Sequence, residues 1–353
     1  MTLNPQLSLW EKADLIAGRL SVLSTALYTA ITGLFRGQNG AKEYSLHVGN
    51  AVIRKMILRL STRQLQYMNG STSDVYSTFM KQKNLHPETV PLEHGAQGHW
   101  IGNPEAKYVV VYYHGGGFAL PGFPNHLAFY NRLGKTLNEA GHDIAFFILS
   151  YSLTPQAAYP TQLQQAVAAL RHILSTPRSP SKILLGGDSA GGNLALAVLL
   201  HLSHPHPEID PLPDIAPLAG LFAFAPWVDF GNDTPSMQEN AGKDVIVRES
   251  LESWSSAYLG GKEADAWSEP SRAPTEWWRE AKVERVLLLV GRDEVLFGGI
   301  DAFVERFQSV VPNTTYVVGF HETHVAPVYG ADFLGNKETQ QGKGLKEWLA
   351  SHL

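Results

Sequence analysis

Between residues 108 and 318 the chain alternates two patterns: short runs of consecutive apolar residues, and longer stretches in which apolar positions recur every three or four residues. Tyr108–Tyr113 (YVVVYY), Ile144–Leu149 (IAFFIL), Ile183–Leu185, Leu221–Phe224, Val286–Val290 and Tyr316–Val318 are of the first kind. A run without polar alternation suits a strand buried on both faces, as in a parallel sheet covered by helices. Thr161–Ser175 places Leu163, Val167, Leu170, Ile173 and Leu174 on one stripe, Ala190–Leu202 is rich in Ala and Leu, and Ile300–Val310 aligns Phe303, Val304, Phe307 and Val310. These spacings predict helices. Strands alternating with helices predict right-handed crossovers and a doubly wound α/β sheet.

Two intervals break the alternation. Residues 1 to about 95 read as mostly helical, without strand signals. Residues 228 to about 280 contain Trp254, Trp267, Trp277 and Trp278 but no strand pattern, and predict a helical insertion after a strand, where such sheets line their ligand crevices. The four tryptophans are either a wall for a bulky apolar substrate or packing between insertion and sheet. We expect one domain over residues 1–353, with a cap drawn from 1–95 and 228–280. Leu20–Phe35 is apolar, but Ser, Thr and Gly interrupt it and Arg19 and Arg36 bracket it. A spanning helix needs about 20 predominantly apolar residues. The expectation is therefore an amphipathic helix packed on the body, with no stable membrane span and peripheral membrane contact left open.

Composition narrows the chemistry. Of 353 residues 44% are hydrophobic, enough for a sizeable core, and the net charge of −5 gives no electrostatic case for nucleic acid. The absence of cysteine excludes disulfides, thiolate catalysis and thiolate metal sites. No basic run precedes an apolar stretch at the start, so no signal peptide is read and a cytoplasmic location is expected.

Three segments carry candidate chemistry. Gly187-Asp188-Ser189-Ala190-Gly191 matches G-x-S-x-G between an apolar strand and the helix from Ala190, a context that makes Ser189 a candidate nucleophile on a strained strand–helix turn. His114-Gly115-Gly116-Gly117 follows the strand YVVVYY. Its glycine amides, chiefly those of Gly116 and Gly117, together with the amide of Ala190 could hold the anion of a tetrahedral intermediate. His114 orients that loop rather than transferring protons. In the order Ser, acid, His, the acid follows the strand Val286–Val290. Asp293 is the expected acid, at the carboxyl end of that strand, and Glu294 is its adjacent alternative. His321 and His324 lie on the loop after the last strand, and their residue context alone does not separate them as the base. The HETH sequence lacks the zincin spacing, so neither a metal nor a cofactor is expected.

Together these segments resemble the hormone-sensitive lipase-like esterases of the α/β-hydrolase superfamily, in a fungal flavour. HGGGF with Gly122, GDSAGGNLA at 187–195, Tyr151-Ser152-Leu153-Thr154-Pro155 with Tyr159-Pro160, and Pro226-Trp227-Val228-Asp229 with Asp244, Trp254 and Tyr258-Leu259 carry the likeness. The resemblance implies an eight-stranded, mostly parallel sheet with helices on both faces and a helical cap. It implies hydrolysis of short to medium acyl esters of a small-molecule substrate. It implies Ser189 as nucleophile, Asp293 as acid, and Gly116, Gly117 and Ala190 as oxyanion donors. By the family's spacing between acid and base it favours His324, 31 positions after Asp293, over His321 at 28. Homodimers occur in that family. Gln156 stands where members usually carry an acidic residue that braces the active-site loop. Lactone or amide hydrolysis, acyl transfer with the same triad, and a non-catalytic small-molecule binder are the competing readings.

Overall fold

In the computed structural model residues 5–231, 233–335 and 337–353 are described. Four helices open the chain: α1 (Leu9–Thr32), α2 (Tyr44–Arg59), α3 (Thr62–Asn69) and α4 (Thr72–Gln82). Three of them start at a serine that closes a capping box, Ser8 with Glu11, Ser61 with Gln64 and Ser71 with Asp74. Each box satisfies amide groups that a helix start leaves free.

The sheet has eight strands: β1 (Thr89–Pro91), β2 (Gln97–Ile101), β3 (Tyr108–Tyr113), β4 (Ile144–Ser150), β5 (Ile183–Asp188), β6 (Gly220–Phe224), β7 (Val286–Gly291) and β8 (Thr314–Gly319). Their spatial order is β1-β2-β4-β3-β5-β6-β7-β8. Strands β3 to β8 are mutually parallel, while β2 runs antiparallel to both β1 and β4. All six residues of β3 are buried, as are those of β5 and β7, so helices cover both faces. The six apolar runs of the sequence are β3 to β8. The first two strands lie where helix or no pattern was expected, because β1 is short and β2 (QGHWI) is not an apolar run. Gly98 of β2 lies flat on the Phe147 ring; a Cβ there would fall 1.8 Å from Cζ.

Helices α5 (Pro124–Glu139), α6 (Thr161–Leu174) and α7 (Ala190–Ser203) alternate with the central strands. The interval after β6 is less helical than expected. It holds α8 (Pro235–Glu239) and α9 (Arg248–Leu259), with 3₁₀ turns at Pro270–Arg272 and Thr275–Glu280. Gly242, Gly260, Gly261, Pro270 and Pro274 punctuate it and break any longer helix. Helices α10 (Phe297–Gln308), α11 (Ala326–Tyr329), α12 (Ala331–Leu334) and α13 (Gln340–His352) complete the chain.

The tryptophans divide. Trp278 packs edge-to-face on Phe303 and Phe307 of α10, with ring centroids 5.9 and 5.1 Å away. Trp267 and Trp277 pack on each other and on His206 and His204. Only Trp254, from α9, reaches the glycine loop after β3, where a Cβ on Gly117 would meet its ring at 2.2 Å. Trp278→Ala should therefore cost about 3–5 kcal/mol of stability. Thermal unfolding would register it as a lowered Tm, without altering the properties of the site described next.

Candidate active site

Strand β5 ends in a sharp elbow. Ser189 sits at φ 53° and ψ −119°, a left-handed backbone that costs a non-glycine residue roughly 1–3 kcal/mol unless its surroundings enforce it. The enforcement is visible. The Ser189 amide donates to the Phe224 carbonyl at the end of β6 (2.8 Å), and the Ser189 carbonyl accepts from the Trp227 amide (3.0 Å). The turn is so tight that a Cβ on Gly187 would lie 2.1 Å from the Gly191 carbonyl oxygen, and one on Gly191 1.9 Å from that of Tyr113. Ser189 thus stands between the sheet and the N-terminus of α7, where the Ala190 amide has no helical partner.

Asp188 holds the neighbouring glycine loop. It is fully buried, and its Oδ1 accepts from the Gly115 amide (2.9 Å) and from the Tyr112 hydroxyl. Its Oδ2 lies 3.2 Å from His126 Nε2. His126 Nδ1 accepts from the Phe123 amide (3.0 Å), so Nε2 carries the proton that Asp188 receives. Burial alone would raise the Asp188 pKa; His126, Tyr112 and the Gly115 amide outweigh it and hold the carboxyl below its ordinary value. Because Gly115 donates to Asp188, its amide is committed. The amides of Gly116, Gly117 and Ala190 have no acceptor among the described residues. Gly116 and Gly117 have φ of 108° and 61°, angles that favour glycine.

His114 sits behind the loop. Its Nδ1 donates to the Gly115 carbonyl (2.7 Å), its Nε2 accepts from the Thr72 hydroxyl (2.9 Å), and its ring stacks on Tyr151. Burial pushes its pKa down to about 4, so it is a neutral fixture. The brace that Gln156 put in doubt exists in another form. Gln66 of α3 donates to the carbonyls of Ala119 and Thr154 (2.8 Å each), and its amide pairs with that of Gln156 at 2.8 Å. Two neutral amides thus occupy the place of a carboxylate.

The acid and base segments do not meet as the sequence suggested. His324 is fully buried, and its Nδ1 faces Oε1 of Glu294 at 3.6 Å. Asp293 points elsewhere: its carboxylate lies 3.7 Å from His321 Nδ1 and 3.4 Å from Lys243 Nζ. His321 is more than half exposed. The expected pairing of Asp293 with His324 is therefore replaced by Glu294 with His324. The cause is local. The Asp293 amide is tied to the Glu322 carbonyl (2.9 Å), while Glu294 turns inward and its Oε2 accepts from the Gly291 amide (2.9 Å). Neither ring nitrogen of His324 has a hydrogen bond among the described residues, which leaves Nε2 free to take a proton.

One further carboxylate joins the two loops. Asp244, fully buried, accepts from the His324 amide (3.0 Å) and the Val245 amide (2.7 Å) through Oδ1, and from the Val295 amide (2.8 Å) through Oδ2. It thereby clips the loop after β7 to the loop after β8. Helix α2 backs this clip: Arg54 donates to the Asp244 carbonyl and Asn50 to that of Lys243 (2.7 Å). Sequence reading assigned no role to Asp244, His126 or Gln66, because each acts on groups brought close only by folding. Among the described residues no group of three His, Cys, Asp or Glu side chains could hold a metal ion.

A mostly parallel eight-stranded sheet, with a strained serine between strand and helix and its polar loops at the strands' carboxyl ends, has the architecture of an α/β hydrolase. The chain belongs to that family: the profile described as alpha/beta hydrolase fold matches residues 110–327. It is 28% identical over 209 residues to Steryl acetyl hydrolase 1 of Saccharomyces cerevisiae, covering 55% of this chain and 46% of that one. It is 29% identical over 188 residues to an acetyl-hydrolase of Streptomyces hygroscopicus, covering 53% and 57%. The chain thus spans about half the length of the curated relatives it matches. Among solved structures, an esterase from the bacterial hormone-sensitive lipase family superposes with a TM-score of 0.67 at 23% identity, covering 88% of this chain and 99% of that one. That likeness is one of fold, and it bears out the α/β-hydrolase architecture that the resemblance implied.

Burial alone would lower the His324 pKa, but the carboxylates of Glu294 and, behind it, Asp244 outweigh it and raise it. His324 should accordingly keep its proton to a higher pH than a free histidine at about 6.5. In Asp244→Asn one of the stabilising charges is gone, so its titration should move to lower pH. Titration of ¹³C- or ¹⁵N-labelled histidine by NMR measures both; an unmoved midpoint in Asp244→Asn would contradict this electrostatic account.

Proposed function

We propose that the protein hydrolyses carboxylic esters through an acyl-enzyme on Ser189, with His324 as base, Glu294 as acid and the amides of Gly116, Gly117 and Ala190 as oxyanion donors. The observation that carries this reading is Ser189 itself, a non-glycine residue held at φ 53° at a strand–helix turn beside acceptor-free amides. His324 removes the hydroxyl proton of Ser189 through Nε2 as Oγ attacks the acyl carbon. The carbonyl electrons move onto oxygen, where the three amides stabilise the charge. The tetrahedral intermediate collapses, the C–O bond to the alcohol breaks, and His324 returns the proton to the departing oxygen. Water then repeats the sequence and releases the acid. Glu294 orients the imidazole through Nδ1 and stabilises its charged form.

Glu294 replaces Asp293 in this scheme on geometry: it is the carboxylate that faces the buried histidine. The pairing of Asp293 with His321 at the surface is a second histidine–acid couple, but His321 is too exposed to be screened from water. Relatives named for acetyl hydrolysis, one of them on steryl acetates, support a short acyl group on a bulky alcohol. The aromatic surroundings fit that substrate: Trp254 lies against Gly117, and Phe118 stacks on Tyr258 with centroids 3.7 Å apart.

Ser189→Ala should fold normally, lose hydrolysis of p-nitrophenyl acetate and no longer be labelled by a fluorophosphonate probe. Glu294→Gln should lower kcat by on the order of 10³–10⁴-fold, the usual cost of losing the triad acid, whereas Asp293→Asn should retain most of the activity. The opposite ranking in steady-state kinetics would return the acid to Asp293; full activity of Ser189→Ala would sink the scheme.

A further inference from the structure

Helix α1 wears its apolar side outward. Ile16, Leu20, Leu23, Leu27, Ile31 and, in the 3₁₀ turn that follows, Leu34 recur at helical spacing and are each between 57% and 70% exposed. Trp10, Tyr28 and, in the turn after the helix, Phe35 widen the same face, each between 69% and 87% exposed. The expectation of an apolar stripe packed on the body is thus reversed. The inner side buries Leu15, Gly18 and Thr29, and Gly18 fits against Leu60 so closely that a Cβ would meet Cδ2 at 2.4 Å. A surface helix in water shows the opposite arrangement.

Three observations identify what covers this face. First, no charged residue occurs from Leu20 to Phe35, and by length and composition Leu9–Phe35 is apolar enough to cross a membrane. Second, the exposed hydroxyls of Ser24 and Thr32 donate to the carbonyls of Leu20 and Tyr28 one turn back (2.9 Å each). These outward polar groups therefore need no external partner, as hydrocarbon surroundings require. Third, the charges at the border are sorted. The acids Asp14 and Glu11 are turned to Arg59 and Arg63, whereas the exposed Lys12 and Arg19 have no ion-pair partner among the described residues. A partner protein would leave such a wide face without polar complement; a lipid surface with anionic headgroups matches both its apolar stripe and its basic border.

We propose that α1 docks the protein on an anionic lipid bilayer, lying in the plane of the interface rather than across it. The in-plane orientation follows from its inner side, which is locked to the body. Asp14 is bonded to Arg59 of α2 (3.0 Å) and to Gln64 of α3 (3.0 Å), and Tyr44 of α2 donates to the Ala30 carbonyl. Helix α2 is also the one whose Asn50 and Arg54 hold the segment around Asp244. The docked face is thus one helix away from the candidate active site, on the side of the cap.

Flotation of the full chain with vesicles of phosphatidylcholine and phosphatidylserine tests this. The wild-type protein should float with these vesicles, and less with phosphatidylcholine alone. Leu23→Glu/Leu27→Glu/Ile31→Glu should remain in the soluble fraction, a loss of at least about tenfold in bound protein, with its circular dichroism and its hydrolysis of p-nitrophenyl acetate unchanged. Lys12→Glu/Arg19→Glu should lose the preference for phosphatidylserine. Ser189→Ala should float like the wild type, which separates this proposal from the catalytic one. A wild-type protein that does not float, or a triple variant that floats equally well, overturns it. So does a wild-type dimer in analytical ultracentrifugation that the triple variant converts to monomer without any vesicle binding, since a second copy would then cover α1.

Discussion

The buried carboxylate of Asp188 is the constraint on which the site depends. It sits on the residue before the elbow and receives the Gly115 amide, the Tyr112 hydroxyl and the His126 ring. A buried charge is tolerated only when its lone pairs are filled. The loop after β3 and the start of α5 supply that filling, and in doing so they are fixed relative to Ser189. Committing Gly115 to this carboxylate is also what turns the next two glycines into free donors. The glycine loop is therefore held against the elbow by the electrostatics of one aspartate as well as by its own glycines.

Asp244 does for the other half of the site what Asp188 does for this one. It gathers amides from the loops after β7 and β8 and holds them together, while its charge, with that of Glu294, favours the protonated imidazole of His324. Two buried carboxylates near one imidazole are expensive to bury, and burial raises the pKa of both. The arrangement is consistent with a base that needs support for its transient positive charge. The N-terminal helices contribute hydrogen bonds: Gln66 and Thr72 steady the glycine loop, and Asn50 and Arg54 steady the segment of Asp244. These helices are thus part of the site's framework, which gives the orientation of α1 a bearing on how the site meets its surroundings.

Much of this was legible in the chain. Five of the six apolar runs became β3 to β7 because a strand buried on both faces is written without polar alternation; the sixth, β8, is the partly exposed edge of the sheet. The elbow was legible because only small residues permit it: Gly187 and Gly191 leave no room for a Cβ. The glycine loop was legible for the same reason at Gly116 and Gly117. These are local steric demands, and local demands leave marks on local sequence.

What the sequence left open is what depends on direction in space. Asp293 and Glu294 are adjacent, similar in chemistry and both at the end of β7; which of them turns inward is decided by the tie between the Asp293 amide and the Glu322 carbonyl, a contact between different strand ends. His321 and His324 differ in the same way, one exposed beside Asp293 and the other buried beside Glu294. The stripe on α1 has the right period for a helix, but period does not say whether the stripe faces the core or the outside; the packing of Gly18 on Leu60 turns it outward. The sequence by itself determined the strands, the strained serine and its glycine-rich loop, because each is enforced by the size and shape of neighbouring residues. Only the tertiary structure decided which acid meets which histidine and which way α1 faces, because those pairings are made by residues distant along the chain.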